Sequence, residues 1–338
     1  MMNKIRYLLR CIAKIHCGKL FRTISEIHNI CGKNRLRLLF DIIWCGFKYG
    51  AGYSDYALFA FYDLTAAQRA TYVTRGINNE IMRRLNDSQY AHIFDNKNEF
   101  YTHFSEFLGR TWLYLPESTA EEFHAFVDRH TTVIVKPASG SCGQGVRILH
   151  REDFKSPAEM YAYLRESGAD LAEEVICQHP VLRQLNPNAV STIRVGTLLH
   201  NGTPHILYAF IRIGNGSRPV DNINAGGMCA PVDLIDGRIC LPACDKNHRE
   251  YSIHPDSQCP IVQLALPFWP DVLSLCLRAA QTVPQMGYIG WDVAITENGP
   301  VFVEGNHFPG HDILQMPPHL PPDRTGFLPT FRKFIPDL

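Results

Sequence analysis

No stretch of this 338-residue chain approaches the ~18 uninterrupted apolar residues of a membrane span, and no signal-type apolar run with a small-residue cleavage site follows the N-terminus. Neither a spanning protein nor a secreted one is expected. Net charge is missing too, with 33 Lys and Arg against 33 Asp and Glu. The 11 cysteines form no CxxC pair, and Cys240 and Cys244 have no His-rich partner at zinc spacing. Reduced thiols in a cytoplasmic protein are the expectation. No repeat of about 20 to 50 residues recurs. There is no GK[ST] phosphate loop and no glycine fingerprint opening a helix, which excludes the Walker and Rossmann patterns.

What is present is unevenly spread. Residues 1–50 hold ten Lys and Arg against only Glu26 and Asp41, leaving the rest acidic, 23 basic against 31. On a helix, Ile5, Leu8, Leu9, Ile12 and Ile15 share one arc and Arg6, Arg10 and Lys14 the opposite one. Such a helix suits the headgroup region of an anionic membrane or a dock on the protein's own core. The acidic remainder argues against nucleic acid. A second helical stripe, Leu36, Leu39, Ile43 and Phe47, ends at the Gly50-Ala-Gly52 break. The aromatic-rich 53–63 segment reads as core, and 65–108 as mostly helical.

Further on, Thr132-Val-Ile-Val135 reads as a strand running into Lys136-Pro-Ala-Ser139-Gly140-Ser141-Cys-Gly143-Gln-Gly145, followed by a strand over 147–150. The glycines would let backbone N–H groups approach phosphate, with Lys136 adding a cation. Strands are expected over 171–176, over 191–199 carrying Arg194, and over 206–213 carrying Arg212; a helix is expected over 269–282. The loop with Asp221, Asn222, Gly226 and Gly227, and the segment around His254, fit a ligand contact or ordinary turn chemistry equally.

Near the end, Gly290-Trp-Asp292-Val-Ala-Ile-Thr-Glu-Asn-Gly-Pro-Val-Phe-Val-Glu304-Gly-Asn306 reads as a β-hairpin. A three-residue loop centred on Asn298 would pair Thr296 with Pro300 and Asp292 with Glu304. Asp292, Glu304 and Asn306 would then share a face, with Val293, Ile295, Val301 and Val303 on the other. Two carboxylates and an amide oxygen suit Mg²⁺ completed by substrate phosphates. A solvated edge hairpin with incidental acids is the competing reading.

In order along the chain, Lys136-Pro with its glycine loop, Glu173-Glu174-Val-Ile176, Ser191-Thr-Ile-Arg194, and Asp292 followed by Glu304-Gly-Asn306 resemble the ATP-grasp superfamily. Gln178-His-Pro, Arg212-Ile-Gly, Val220-Asp-Asn, His254-Pro and Gly290-Trp-Asp bring the resemblance closer to its sugar-transfer-associated branch, over roughly residues 50–310. It implies an α+β fold, two α+β subdomains gripping ATP between antiparallel sheets, here with an N-terminal basic helical extension. The expected parts are a basic helical region (1–50), a helical subdomain (51–115), a subdomain with glycine loop and hinge (116–190) and a C-terminal subdomain with the hairpin (191–338).

The resemblance also implies roles. Lys97 and Lys136 match phosphate-contacting lysines, and Ser139 to Gly145 the loop over the phosphates. Glu173, Glu174 and Ile176 match the hinge at the adenine. Arg194 matches the transition-state arginine, and Asp292, Glu304 and Asn306 the magnesium ligands; no ribose-binding acid is evident. Substrate contacts are expected from Arg212, Asp221, Asn222, Gly226, Gly227 and His254. The implied activity is ATP- and Mg²⁺-dependent joining of a carboxylate, on an acidic sugar or glycan precursor, to an amine such as an amino acid. It is placed in the cytoplasm or on the inner membrane face, in surface polysaccharide synthesis. A phosphotransferase and a non-catalytic ATP-binding partner of a glycosyltransferase complex are the alternatives.

Overall fold

The structure is a computed structural model describing residues 17–140, 144–216, 221, 223 and 226–338. The helix expected over 5–15 therefore lies outside the described residues, as do Ser141, Gly143 and Asn222. The chain divides into two compact units, one built from its beginning up to Arg84 together with Gly310–Leu338, the other from Leu85–Pro309. Helices of seven residues or more are numbered.

The first unit is helical. Helices α1 (Cys17–Cys31) and α2 (Arg35–Tyr49) are joined at Asn34, whose side chain accepts the Leu36 and Arg37 N–H groups and so satisfies donors that a helix start leaves open. Leu20, Ile24 and Ile27 of α1 and Leu38, Ile42, Cys45 and Tyr49 of α2 are buried with Tyr56, Phe59, Phe61 and Tyr72. The 53–63 aromatics are core, as expected. The helix anticipated through Leu36, Leu39, Ile43 and Phe47 forms and ends at Gly50 as expected, but of that stripe only Leu39 packs against the core, while Leu36, Ile43 and Phe47 are exposed. The inward arc carries Leu38 and Ile42, because Asp41 has to reach Arg69 (2.8 Å) and Tyr56 (2.7 Å) on that side. Helix α3 (Arg75–Leu85) closes this stretch, and Gln315 from the chain's last segment bonds both the N–H (2.7 Å) and the carbonyl (2.9 Å) of Val73.

In the second unit, α4 (Lys97–His103) leads to a four-stranded antiparallel sheet ordered β1 (Trp112–Tyr114), β4 (Leu171–Glu174), β2 (Thr132–Lys136), β3 (Arg147–His150). Helices α5 (Ala120–Arg129) and α6 (Pro157–Glu166) supply Phe123, Val127, Met160 and Leu164 to a core with Val133, Val135 and Ala172. Both begin at a capping hydroxyl, Thr119 and Ser156.

A seven-stranded antiparallel sheet follows, ordered β11 (Gly299–Asn306), β10 (Tyr288–Thr296), β5 (Ile193–His200), β6 (Thr203–Ile213), β7 (Met228–Pro231), β8 (Ala243–Cys244), β9 (Glu250–Tyr251). Helix α7 (Trp269–Ala279) packs Val272, Leu275 and Cys276 into the core with Ile193, Val195, Ile211 and Val293. Its residues repeat at helical spacing and the strand residues alternate, which is how the two patterns mesh. The α+β class and two antiparallel sheets are as the resemblance implied.

The closing hairpin differs in detail. Thr296 pairs with Gly299, not Pro300, around a two-residue turn, because the Thr296 hydroxyl donates to the Gly299 carbonyl (2.9 Å) and accepts the Asn298 N–H (3.1 Å). The register then shifts between Asp292 and Val293, and Asp292 meets Glu304 after all. Val301 therefore pairs with Ala294 and shares the Asp292 face instead of the oily one. Phe302 replaces it there, opposite Val293 and stacked on Trp291 at 4.8 Å. One extra residue, Val303, corrects the register.

Candidate active site

The buried charged residues of the second unit form two clusters, one on each sheet. Lys136 ends β2 and is 6% exposed; its Nζ donates to Glu173 (2.6 Å) and to the Tyr101 hydroxyl (2.6 Å). Tyr101 in turn donates to Glu173 (2.6 Å), and Arg110 donates to both Glu173 (3.1 Å) and Tyr101 (2.8 Å). Two cations thus share one buried carboxylate, leaving a net positive charge. Burial would raise the Glu173 carboxyl, but Lys136 and Arg110 outweigh it and bring it down to about 2. Lys136 stays protonated despite burial, held so by Tyr101 and Glu173.

Lys97 begins α4, where its N–H donates to Ala138 (2.8 Å) and its ammonium to the Gly140 carbonyl (2.8 Å). Lys97 so pins the described start of the glycine loop. Burial and then Lys136 push its pKa down, against the pull of Glu304 and Glu173, which puts the two lysines and two acids within mutual electrostatic reach. Gly140 (φ 122°) and Gly145 (φ 74°) adopt backbone that side chains disfavour, and a Cβ on Gly145 would press to 3.0 Å from Pro137. Ser139 bridges to Asn96 across this loop.

On the large sheet, Arg194 of β5 lies directly across from Asp292 of β10. Its guanidinium grips the Asp292 carboxylate with both Nε and Nη2, and Arg212 from β6 binds the same carboxylate. Burial would raise Asp292, yet Arg194 and Arg212 hold it well below the carboxylate range. Glu304 behaves oppositely: burial first, then repulsion from Asp292, raises it in spite of both arginines. Two carboxyls forced together are relieved when a cation enters, so this pair fits a divalent metal. Among the described residues no three His, Cys, Asp or Glu side chains converge on such a point. A metal here would take Asp292 and Glu304, with Asn306 and non-protein oxygens. Asn306 stands two residues from Glu304 along β11, and its amide oxygen also accepts the Phe308 N–H (2.8 Å).

The structure redistributes other expected roles. Glu173, anticipated at the adenine, spends its carboxylate on Lys136. Glu174 accepts from the Thr111 backbone (3.1 Å) and hydroxyl (3.2 Å). With Ile176 it lines a cavity of about 350 Å³, shared with Arg110, Cys177 and the Glu297–Pro300 turn. Asp221 accepts the Thr192 N–H (2.9 Å) and hydroxyl, and burial raises its carboxyl against the pull of nearby Arg212. Arg212 keeps one buried N–H, on Nε, without a partner among the described residues. His254 is buried with Nε2 on the Gly214 carbonyl (2.9 Å) and Nδ1 accepting from Asp256 and Ser257 (3.3 Å each). With both nitrogens engaged it stiffens a turn beside Arg212. Gly226 lies at φ 99° in the neighbouring loop, one residue before Gly227. Sequence reasoning missed Tyr101 and Arg110. Tyr101 sits four residues after Lys97 on one helix face, a signal that was there to use; Arg110 had none.

Two antiparallel sheets carrying lysines and a glycine loop on one and an acid-bearing hairpin on the other define an ATP-grasp fold. The sequence matches the family described as sugar-transfer associated ATP-grasp over residues 76–320, and the chain belongs to that family. A comparison with curated proteins finds no match. Similar solved structures include the ATP-grasp ligase PsnB complexed with a minimal precursor (12% identity, 75% of this chain and 64% of that one, TM-score 0.44). D-alanyl-alanine synthetase A from Vibrio cholerae is another (15%, 72% and 64%, 0.42). A third is N5-carboxyaminoimidazole synthetase from Staphylococcus aureus complexed with ADP (12%, 68% and 48%, 0.43). The chain spans less than two thirds of the length of each.

Proposed function

We propose that the protein is an ATP-dependent carboxylate–amine ligase acting on an acidic sugar or glycan precursor, on the cytoplasmic side of a membrane where surface polysaccharide is made. The observation that carries this is the pairing of Asp292 with Glu304 on one strand face, with Arg194 and Arg212 bound to the same carboxylate. The four sequence segments serve as membrane-facing, helical, nucleotide-holding and metal-holding parts in this reading.

A carboxylate does not accept an amine at useful rates, because oxide is a poor leaving group. In the first step a substrate carboxylate oxygen bonds to the γ-phosphorus of ATP as the bond to the ADP oxygen breaks. The amine nitrogen then adds to the acyl carbon, and phosphate leaves with its electron pair while the nitrogen loses a proton to solvent. Lys136 and Lys97 neutralise phosphate oxygens, and the glycine loop that starts at Ser139 offers them backbone N–H donors. Asp292, Glu304 and Asn306 would hold Mg²⁺, which supplies charge neutralisation to the β- and γ-phosphates. Arg194 and Arg212 face the carboxyl end of the substrate. Glu174 and Ile176 border the adenine, with the main chain after β4 offering the specific contacts. No covalent nucleophile is needed, so Cys142 has no part.

Hydroxylamine offered in place of the amine should give a hydroxamate, formed only with ATP and the acid substrate. Glu304→Ala should abolish it with the fold retained. A stable phosphorylated sugar without hydroxamate would instead mark a phosphotransferase, and full turnover by Glu304→Ala would remove the metal assignment.

A further inference from the structure

Five large side chains of α2, Leu36, Phe40, Ile43, Trp44 and Phe47, stand 45% to 68% exposed. Their spacing puts them within an arc of about 100°, turned away from buried Leu38, Ile42 and Cys45. A single exposed apolar side chain is ordinary, whereas a stripe of about three turns with three aromatic rings marks an interaction surface. Cations border it. Arg35, Arg37 and Lys48 are exposed, with Lys48 over the Trp44 ring at 5.9 Å. The only acids between residues 17 and 50 are Glu26 and Asp41, and Asp41 is already bound by both terminal nitrogens of Arg69 at 2.8 Å.

Beside Phe40 and Trp44 opens a cavity of about 510 Å³ whose lining includes Lys33, Arg37, Arg69, Tyr56 and Tyr62. With Asp41 neutralised by Arg69, its surplus charge is positive. The Arg37 guanidinium makes no hydrogen bond or ion pair with a described residue.

We propose that this face of α2 docks on an anionic lipid bilayer, with the stripe entering the headgroup boundary and the adjoining cavity taking a lipid phosphate. An apolar face ringed by cations is the complement of such a bilayer, and Trp favours its interface. A second copy would set Arg35, Arg37 and Lys48 against the same cations. Residues 1–16 would do likewise, since they add Lys4, Arg6, Arg10 and Lys14 with no acid. Those four cations strengthen attraction to the bilayer instead. The inference rests on the proposed function only for placement at a membrane. Vesicle binding is read apart from turnover in solution, so either can fail alone.

The test is co-sedimentation of the full chain with vesicles of phosphatidylglycerol and phosphatidylcholine in equal parts, and of phosphatidylcholine alone. The wild type should partition to the anionic vesicles and be released by salt, because the field is screened within about 10 Å at 0.1 M. Phe40→Glu with Trp44→Glu should cut partitioning at least about tenfold. Arg37→Glu should cut it severalfold on anionic vesicles and leave neutral ones unchanged. Both positions are exposed; if the double variant misfolds by circular dichroism, Phe47→Gln alone gives the same reading with a smaller loss. Failure of the wild type to bind, or unchanged binding by the folded variants, overturns the proposal. So does a wild-type dimer in the absence of vesicles that the double variant dissociates.

Discussion

Glu173 concentrates the electrostatics of the four-stranded sheet, because one buried carboxylate balances Lys136 and Arg110 and accepts from Tyr101. Its carboxyl sits at about 2, against an ordinary 4.5. A depressed folded pKa contributes stability that is complete above the unfolded value and is lost as pH falls through the folded one. That contribution should therefore fade between about pH 4.5 and 2, amounting to about 3 kcal/mol when full. Glu173→Gln should cost about 3 to 5 kcal/mol at pH 7, since Lys136 and Arg110 are left buried without a counter-charge. Urea unfolding at pH 7 and pH 3 reads this directly: the gap between wild type and variant should shrink at the lower pH. A gap that stays constant would mean that the carboxylate is not held by those cations. The Lys136 position was legible, since a lysine ending a β-branched strand before a glycine run points at phosphate. Its partners were not, because a buried ion pair is set by which strands and helices meet, and no local pattern in the sequence records that.

At the scale of the element, the β10–β11 hairpin shows both what sequence periodicity delivers and where it stops. An assumed three-residue loop put Asp292 opposite Glu304, and the strands expected over 132–135, 147–150 and 191–199 formed within one or two residues of those bounds. The turn was shorter by one residue and a bulge made up the difference, an error that only the hydrogen bonds of Thr296 could have exposed. Helix α2 illustrates a deeper ambiguity: it has apolar residues on two arcs, and periodicity alone does not say which one is buried.

The hairpin also fixes the arginine. Gly290 leaves room for Arg194 to lie over β10, because a Cβ there would come within 3.0 Å of Arg194 Cδ and 3.1 Å of Pro309. Gly290→Ala should displace the guanidinium by a few tenths of an ångström and lower turnover roughly tenfold, with nucleotide affinity and thermal midpoint little changed. Stopped-flow turnover beside equilibrium titration with an ATP analogue separates the two; equal loss in both would show that Gly290 acts on binding instead.

For the molecule as a whole, the site residues all belong to the unit of Leu85–Pro309, while the chain on either side forms a separate helical unit that presents an apolar, cation-bordered face. The family match spans both sheets; in the proposed reading, the choice of acid and amine falls to the loops around Arg212 and Asp221. Ligase and phosphotransferase would use the same lysines and the same carboxylates, and differ only in the fate of one oxygen atom. Substrate acid labelled with ¹⁸O in its carboxylate should therefore be turned over with ATP and the amine, and the inorganic phosphate analysed by mass spectrometry. One labelled oxygen is expected in each phosphate released, because the acid's own oxygen attacks phosphorus and leaves with it. Unlabelled phosphate, or none at all, would contradict the ligase reading.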